Sequence, residues 1–233
     1  MRDLAGLPAP VARYLRHVLP TDQPPIRRLC LTQRGELRTS AQSNRWLGFQ
    51  AEQVTNPPSV SYVWNARVRI LPLLHLSVRD GYSDGCASSH VKLFSRISVG
   101  ADSGRPELNS GALHRFLAEA VWYPTALLPT EALRWTPVDD NRAQATLSDA
   151  GQSVSLEFRF SAANEISGVY TAGRWEKVGR DYRQTPWEGH FHGYERRANM
   201  LVPSRGEVGW YRAGSWHKVW SGSVLETSYE LMH

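Results

Sequence analysis

The sequence predicts an α+β protein in which one highly curved antiparallel sheet, a half-barrel or open barrel, carries an N-terminal helix and one internal helix on its concave side. Stretches rich in Val, Tyr, Trp and Ile follow one another, separated by turn sequences such as NPPS and DGYSDG. This spacing favours an antiparallel meander over βαβ units. The length of 233 residues, with 41% hydrophobic and 21% charged residues, is typical of one globular domain covering 1–233.

Four blocks are expected along the chain. They are an N-terminal helical segment at 1–20, a first set of strands at 26–100, a helix at 109–123 and a second set of strands at 132–232. In the first block, apolar residues repeat every three to four positions after Pro8 and Pro10, which suit a first helical turn. In the third block, Asn109 or Ser110 begins the helix and Pro124 closes it. The strand blocks show period-two alternation, clearest in QSVSLEFRFS.

Composition and charge argue against several classes of function. The 27 basic and 22 acidic residues give a net charge of +5, but Arg67, Arg69 and Arg79 alternate with apolar residues instead of clustering. We therefore expect solvated sheet faces and no nucleic-acid partner. The opening residues contain no unbroken apolar stretch, so we expect no membrane span and a cytoplasmic location. Cys30 and Cys86 lie outside any C-x-x-C pair and are expected to be buried free thiols.

No nucleotide, dinucleotide or metal motif is present. The sequence lacks a P-loop, a G-x-G-x-x-G fingerprint and a G-x-S-x-G turn, so no cofactor is expected. His190 and His192 would share one strand face, but Glu195 would lie on the other and no acidic cluster completes a shell, so we predict no metal. Asp80 and Asp84 are expected to be turn residues of a hairpin.

Several motifs together resemble one bacterial family. They are LAEAVWYPTALLP at 117–129, LRW with Trp135, AGRW with Arg174 and TPWEG at 185–189. These motifs, with the opening LPAPVARYLRHVLP and the late LVPSRGEVGW, resemble a bacterial domain-of-unknown-function family over almost the whole chain. The resemblance implies a relative of the periplasmic lipoprotein carriers, whose open β half-barrel encloses a hydrophobic cavity under helices. It implies no established activity. Many relatives begin with a membrane segment, and its absence here favours a cytosolic role on a soluble apolar molecule.

A curved sheet only partly filled by a helix leaves an apolar cavity, which is where ligand sites tend to form. Arg174 is expected to meet the polar end of a ligand there, and Glu119 lies on the helix among apolar residues. A half-buried carboxylate would either be neutralised by an arginine, for which Arg174 is the natural partner, or have a raised pKa suited to acid catalysis. The residues expected to line the cavity are Trp64, Trp122, Tyr123, Trp135 and Trp187.

Two functions remain open from the sequence. The first is binding of a hydrophobic, lipid- or polyketide-like molecule in the cavity. The alternative is a cofactor-independent cyclase or isomerase that folds an apolar biosynthetic intermediate there, with Glu119 as acid/base. The expected partner in both is an apolar small molecule. The sequence makes no prediction of the oligomeric state.

Overall fold

The computed structural model of the protein describes residues 4–39, 43–93, 97–179 and 181–232. These ranges contain two α-helices, α1 (Ala9–Val18) and α2 (Pro106–Glu119). Short 3₁₀ turns lie at Pro57–Ser59, Ala120–Trp122 and Pro124–Leu127. The strands are β1 (Ile26–Leu37), β2 (Leu47–Asn56), β3 (Ser61–Leu71), β4 (Leu74–Ser83), β5 (Cys86–Leu93), β6 (Ile97–Ser103), β7 (Leu133–Asp139), β8 (Arg142–Asp149), β9 (Gln152–Phe160), β10 (Ile166–Val178), β11 (Asp181–Arg197), β12 (Met200–Arg212) and β13 (Ser215–Leu231).

The strands of the described ranges form one antiparallel sheet in the order β6-β5-β4-β3-β2-β1-β13-β12-β11-β10-β9-β8-β7. Each half of the sheet is a meander of strands that are neighbours in sequence. The first and last strands join the halves, with Leu29 opposite Tyr229 and Leu37 opposite Trp220. α2 connects the two edge strands, β6 and β7. The predicted fold class, a curled antiparallel sheet with one N-terminal and one internal helix, is confirmed.

The core lies between the concave face of the sheet and the helices. In β9, Val154, Leu156, Phe158 and Phe160 are buried, while the residues between them are partly exposed. Such alternation buries one face of a strand and leaves the other to solvent. The apolar residues of α1 and α2 belong to the same buried cluster. Both helices therefore cover the inner face.

The internal helix begins earlier than predicted. It starts at Pro106, because Arg105 is extended and proline suits the first helical turn. Asn109 is not a cap: its side-chain oxygen accepts a hydrogen bond of 2.8 Å from the buried backbone N–H of Ala87. The prediction of a buried Cys86 is wrong as well, since this residue follows a hairpin turn and is exposed.

Polar contacts join the two halves of the sheet across its opening. Tyr82 on β4 donates to Asp149 on β8 at 2.7 Å. Asp102 on β6 accepts from Lys177 on β10 at 2.6 Å and from Tyr182 on β11 at 2.9 Å. The hydrogen bond from Lys177 lowers the pKa of Asp102 below its ordinary value. Among the helices of the described ranges, none has the length and apolar character needed to cross a membrane.

Candidate functional site

A cavity of about 530 Å³ lies between α2 and the concave face of the sheet. This volume falls within the usual range for sites that hold small molecules. Most of its wall is aromatic or aliphatic, and the residues that dominate it are Trp64, Val68, Trp122, Trp187, Phe191 and Trp220. A second cavity of about 540 Å³ adjoins it. Asp80, Arg115 and Arg174 line both, so the charged groups lie where the two cavities meet.

Glycines in the central strands make room for this aromatic wall. A Cβ added at Gly222 would lie 2.6 Å from the Trp220 ring, so this position cannot carry a side chain with Trp220 in place. Trp220 stacks on Phe49 with ring centroids 5.7 Å apart. A Cβ at Gly206 would meet Phe191 at 3.5 Å and Trp122 at 3.6 Å, which is ordinary van der Waals contact. Gly206 therefore leaves space in the cavity that a larger residue would fill.

Glu119, near the end of α2, is held in a hydrogen-bonded triangle. Its Oε1 accepts from Arg115 Nε at 2.7 Å and its Oε2 accepts from Gln53 Nε2 at 2.6 Å. Gln53 Oε1 in turn accepts from Arg115 at 3.1 Å. The side chains of Arg115 and Glu119 are 21% and 13% exposed. Both carboxylate oxygens thus have partners, and the hydrogen bonds of Gln53 to the ion pair join the helix to β2.

Arg115 also faces two aromatic rings and a second carboxylate. Its guanidinium carbon lies 5.0 Å from the Trp64 ring centre and 5.1 Å from that of Tyr62. Asp80 Oδ2 lies 3.6 Å from Arg115 Nη1. Burial opposes the charge of Arg115, but the neighbouring Glu119, Tyr62 and Asp80 outweigh it, so the pKa of Arg115 lies above its ordinary value. The guanidinium therefore stays protonated and neutralises the acidic side of the site.

Arg174 lies on the other wall and is not the partner of Glu119. Its guanidinium carbon is 4.7 Å from the Trp187 ring centre and 5.4 Å from that of Trp210, and it donates to the Gly111 carbonyl at 2.9 Å. The predicted pairing of Arg174 with Glu119 is wrong, because Glu119 forms its ion pair with Arg115 on the same helix. Burial, with the charge of Arg115, lowers the pKa of Arg174 to about 10, so it remains cationic at neutral pH.

Two of the predicted cavity residues lie elsewhere in the structure. Trp135, on edge strand β7, donates from Nε1 to the Leu127 carbonyl at 2.9 Å and packs on Phe158. Tyr123 is fully buried and donates to the Phe116 carbonyl at 2.5 Å. Neither contributes to the cavity wall, because both side chains tie the turns after α2 to the core. The other predicted residues line the cavity: Trp64, Trp122, Trp187, Arg174 and Glu119.

Sequence reasoning missed Arg115, Gln53 and Asp80. The position of Arg115 could have been recognised from the sequence, because Arg115 precedes Glu119 by four residues and side chains at this spacing face each other on a helix. Gln53 and Asp80 carried no comparable signal. Asp80 lies within β4 and accepts from Ser89 at 2.7 Å, so its prediction as a turn residue is wrong.

The predicted turn residue Asp84 and the histidine pair lie outside this cavity. Asp84 and Gly85 have φ values of 52° and 75°, typical of the tight turn of a hairpin. His190 is on the opposite face of β11 from Trp187, with Nε2 3.3 Å from Glu188 and its ring against Trp216. Within the ranges that the structure describes, no group of three or more His, Cys, Asp or Glu residues is arranged to hold a metal ion.

The motif resemblance is confirmed by a family model. Residues 1–221 match the family of unknown function DUF6544. The chain belongs to this family. No curated protein matches it. Among solved structures, a LolA superfamily protein from Nitrosomonas europaea is similar with a TM-score of 0.46 and 8% identity, over 96% of this chain and 93% of that one. A β-barrel-like protein with the domain of unknown function DUF1849 from Brucella abortus gives a TM-score of 0.26 and 12% identity, over 89% and 99%.

In this DUF6544 chain, the site combines a large apolar wall with a few polar groups in fixed positions. Arg115, Glu119 and Gln53 satisfy one another on one side. Arg174 presents a cation between two indole rings on the other side. An apolar ligand can gain binding free energy by leaving water for the aromatic wall, and a polar end group would be oriented by Arg174.

Proposed function

We propose that the protein binds a hydrophobic small molecule, lipid- or polyketide-like, in the aromatic-lined cavity. The observation that supports this proposal is the cavity of about 530 Å³ on the concave face, with Trp64, Trp122, Trp187 and Trp220 in its wall. Aromatic side chains offer a large apolar area with few rotatable bonds, so little side-chain entropy is lost when a ligand is bound. The proposal also places this binding in the cytoplasm, which is an expectation from the sequence alone.

The affinity should increase with the apolar surface of the ligand. Each buried methylene contributes about 0.8 kcal/mol, so two additional methylenes should tighten binding about tenfold until the cavity is full. A series of neutral linear alcohols of increasing length therefore gives a measure of how much of the cavity a chain fills.

The cyclase or isomerase alternative receives no specific support from the site. Both oxygens of Glu119 accept hydrogen bonds, and Arg115 holds the carboxylate in an ion pair. General acid catalysis requires a proton on this group that can reach the substrate. If incubation of the protein with a small-molecule extract of its host produces a new compound of equal mass, the isomerase alternative replaces simple binding.

The direct test uses the neutral apolar fluorophore N-phenyl-1-naphthylamine with the full chain. We expect saturable binding at one site per chain, with increased emission in the apolar cavity. Gly206→Leu would place a side chain against Phe191 and Trp122 and should weaken binding by about tenfold or more while the protein stays folded. Gly48→Leu is the matched control, since Gly48 lies on the opposite side of the sheet beside Arg69. Equal weakening by both variants, or no saturable binding by the wild type, would overturn the proposal.

A further inference from the structure

Arg174 is a half-buried cation, with its Nε buried, and it has no carboxylate partner. Among the described residues, no Asp or Glu oxygen lies within 4.0 Å of its guanidinium, in contrast to Arg115, Arg159 and Arg212, whereas Arg38 at the cavity wall has no carboxylate partner either. Glu119 is held by Arg115, Glu188 by Arg159 and Glu176 by Arg212. Buried charges are normally paired, because removing a charge from water without a counter-charge is unfavourable. These three carboxylates thus already have arginine partners, and Arg174 donates to the Gly111 carbonyl instead.

Two hydrogen-bond donors at this position also lack acceptors. Within the described part of the chain, Arg174 Nε and Trp187 Nε1 are buried and make no hydrogen bond. Both side chains line the cavity, and the guanidinium lies over the Trp187 ring. Unpaired buried donors are rare in folded proteins and are a common mark of a missing ligand or water. The lowered pKa of Arg174 agrees with this picture, since a bound anion would raise it.

We propose that the ligand of the cavity is an amphipathic carboxylic acid whose carboxylate accepts hydrogen bonds from Arg174 and whose apolar chain lies against the aromatic wall. A guanidinium presents parallel N–H groups that fit a carboxylate, and Trp187 and Trp210 hold it in one orientation. A doubly charged phosphate fits less well, because Glu119 and Asp80 line the same cavity and would repel the second charge. This inference rests on the proposed function and specifies the end group of its ligand.

The test compares dodecanoic acid with 1-dodecanol, which has the same chain and no charge. Each compound displaces N-phenyl-1-naphthylamine from the full chain at pH 7. We expect the acid to bind about tenfold or more tightly than the alcohol, since hydrogen bonds to a charged pair are stronger than neutral ones. Arg174→Gln should bring the ratio of the affinities for acid and alcohol down to about one.

The control and the contradicting outcomes separate this inference from the proposed function. Arg79→Gln removes the same charge from an exposed arginine that bonds Asn65, and the preference for the acid should persist in it. Arg174→Lys keeps the charge and should retain part of the preference. Equal affinity of the wild type for acid and alcohol overturns the inference and leaves the proposed function intact, as does a preference that survives Arg174→Gln. If neither the probe nor either dodecyl compound binds, both fail.

Discussion

The hydrogen-bonded triangle of Arg115, Glu119 and Gln53 makes Glu119→Gln a destabilising substitution despite its equal size. The carboxylate accepts from Arg115 at 2.7 Å and from Gln53 at 2.6 Å. An amide at position 119 has one oxygen, so its NH₂ group must face either the guanidinium or the Gln53 amide. Rotating the Gln53 amide does not help, because its NH₂ group would then face Arg115 in place of the oxygen that accepts at 3.1 Å. One donor therefore faces another donor in every arrangement.

The size of the effect follows from the lost interaction. A hydrogen bond to a charged group contributes about 1.5–3 kcal/mol, and Asp80 at 3.6 Å still compensates part of the charge of Arg115. We expect a loss of about 2–3 kcal/mol in the free energy of unfolding. For a domain of this length, each kcal/mol lowers Tm by about 2–4 °C, so Tm should fall by roughly 4–12 °C.

Calorimetry and near-ultraviolet circular dichroism at pH 7 measure this change, with the exposed Glu131→Gln as the control. Arg115→Met and the double variant complete a thermodynamic cycle, in which we expect a coupling of at least about 1.5 kcal/mol. If Glu119→Gln stays within about 0.5 kcal/mol of the wild type, the hydrogen-bonded triangle with Gln53 does not hold the helix to the sheet. The reasoning is then refuted, and Glu119 becomes available as an acid for the enzyme alternative.

Two further predictions concern pH and the turns beside α2. Burial and the charge of Arg174 lower the pKa of His114 from 6.5 to about 4, against the opposing bond to the Ser110 carbonyl. Between pH 6.5 and about 4, His114 is therefore protonated in the unfolded chain and neutral in the folded one. The free energy of unfolding falls by about 3 kcal/mol as the pH drops through this range. In urea unfolding at several pH values His114→Gln should lose this slope, and an unchanged slope would contradict the assignment. Trp135→Phe removes the bond to the Leu127 carbonyl and should lower stability by about 1 kcal/mol without affecting N-phenyl-1-naphthylamine affinity; a tenfold weaker affinity would place Trp135 in the cavity wall.

The class of fold was predictable because it depends on local alternation. Val154, Leu156 and Phe158 show the period of two that a half-buried strand requires, and the structure buries all three. The pairing of β1 with β13 was not predictable, because alternation shows which residues share a face and not which strand lies alongside. The start of α2 was misplaced for a related reason: Asn109 has the chemistry of a cap, but the backbone of Ala87 takes its side-chain oxygen.

The candidate site was predictable only in part. Trp122 and Trp135 are both aromatic residues within predicted elements, yet Trp122 lines the cavity and Trp135 packs against the turn at Leu127. This difference depends on the curvature of the sheet and on the position of its edge, and the pattern of apolar residues in the sequence shows neither. The Arg115–Glu119 pair was not predicted, although a spacing of four residues places both side chains on one face of a helix.

The pairing of β1 with β13 affects how the protein can be completed during synthesis. Each meander can form from contacts between neighbouring strands, but the hydrogen bonds that join them await the last strand, which begins at Ser215. A nascent chain that ends before that point presents two unpaired edges, at β1 and β12, and such edges favour association with other chains. Trp220 also belongs to this strand, so the cavity has no complete wall until then. The proposed ligand binding therefore requires the finished polypeptide and would distinguish it from C-terminally truncated products.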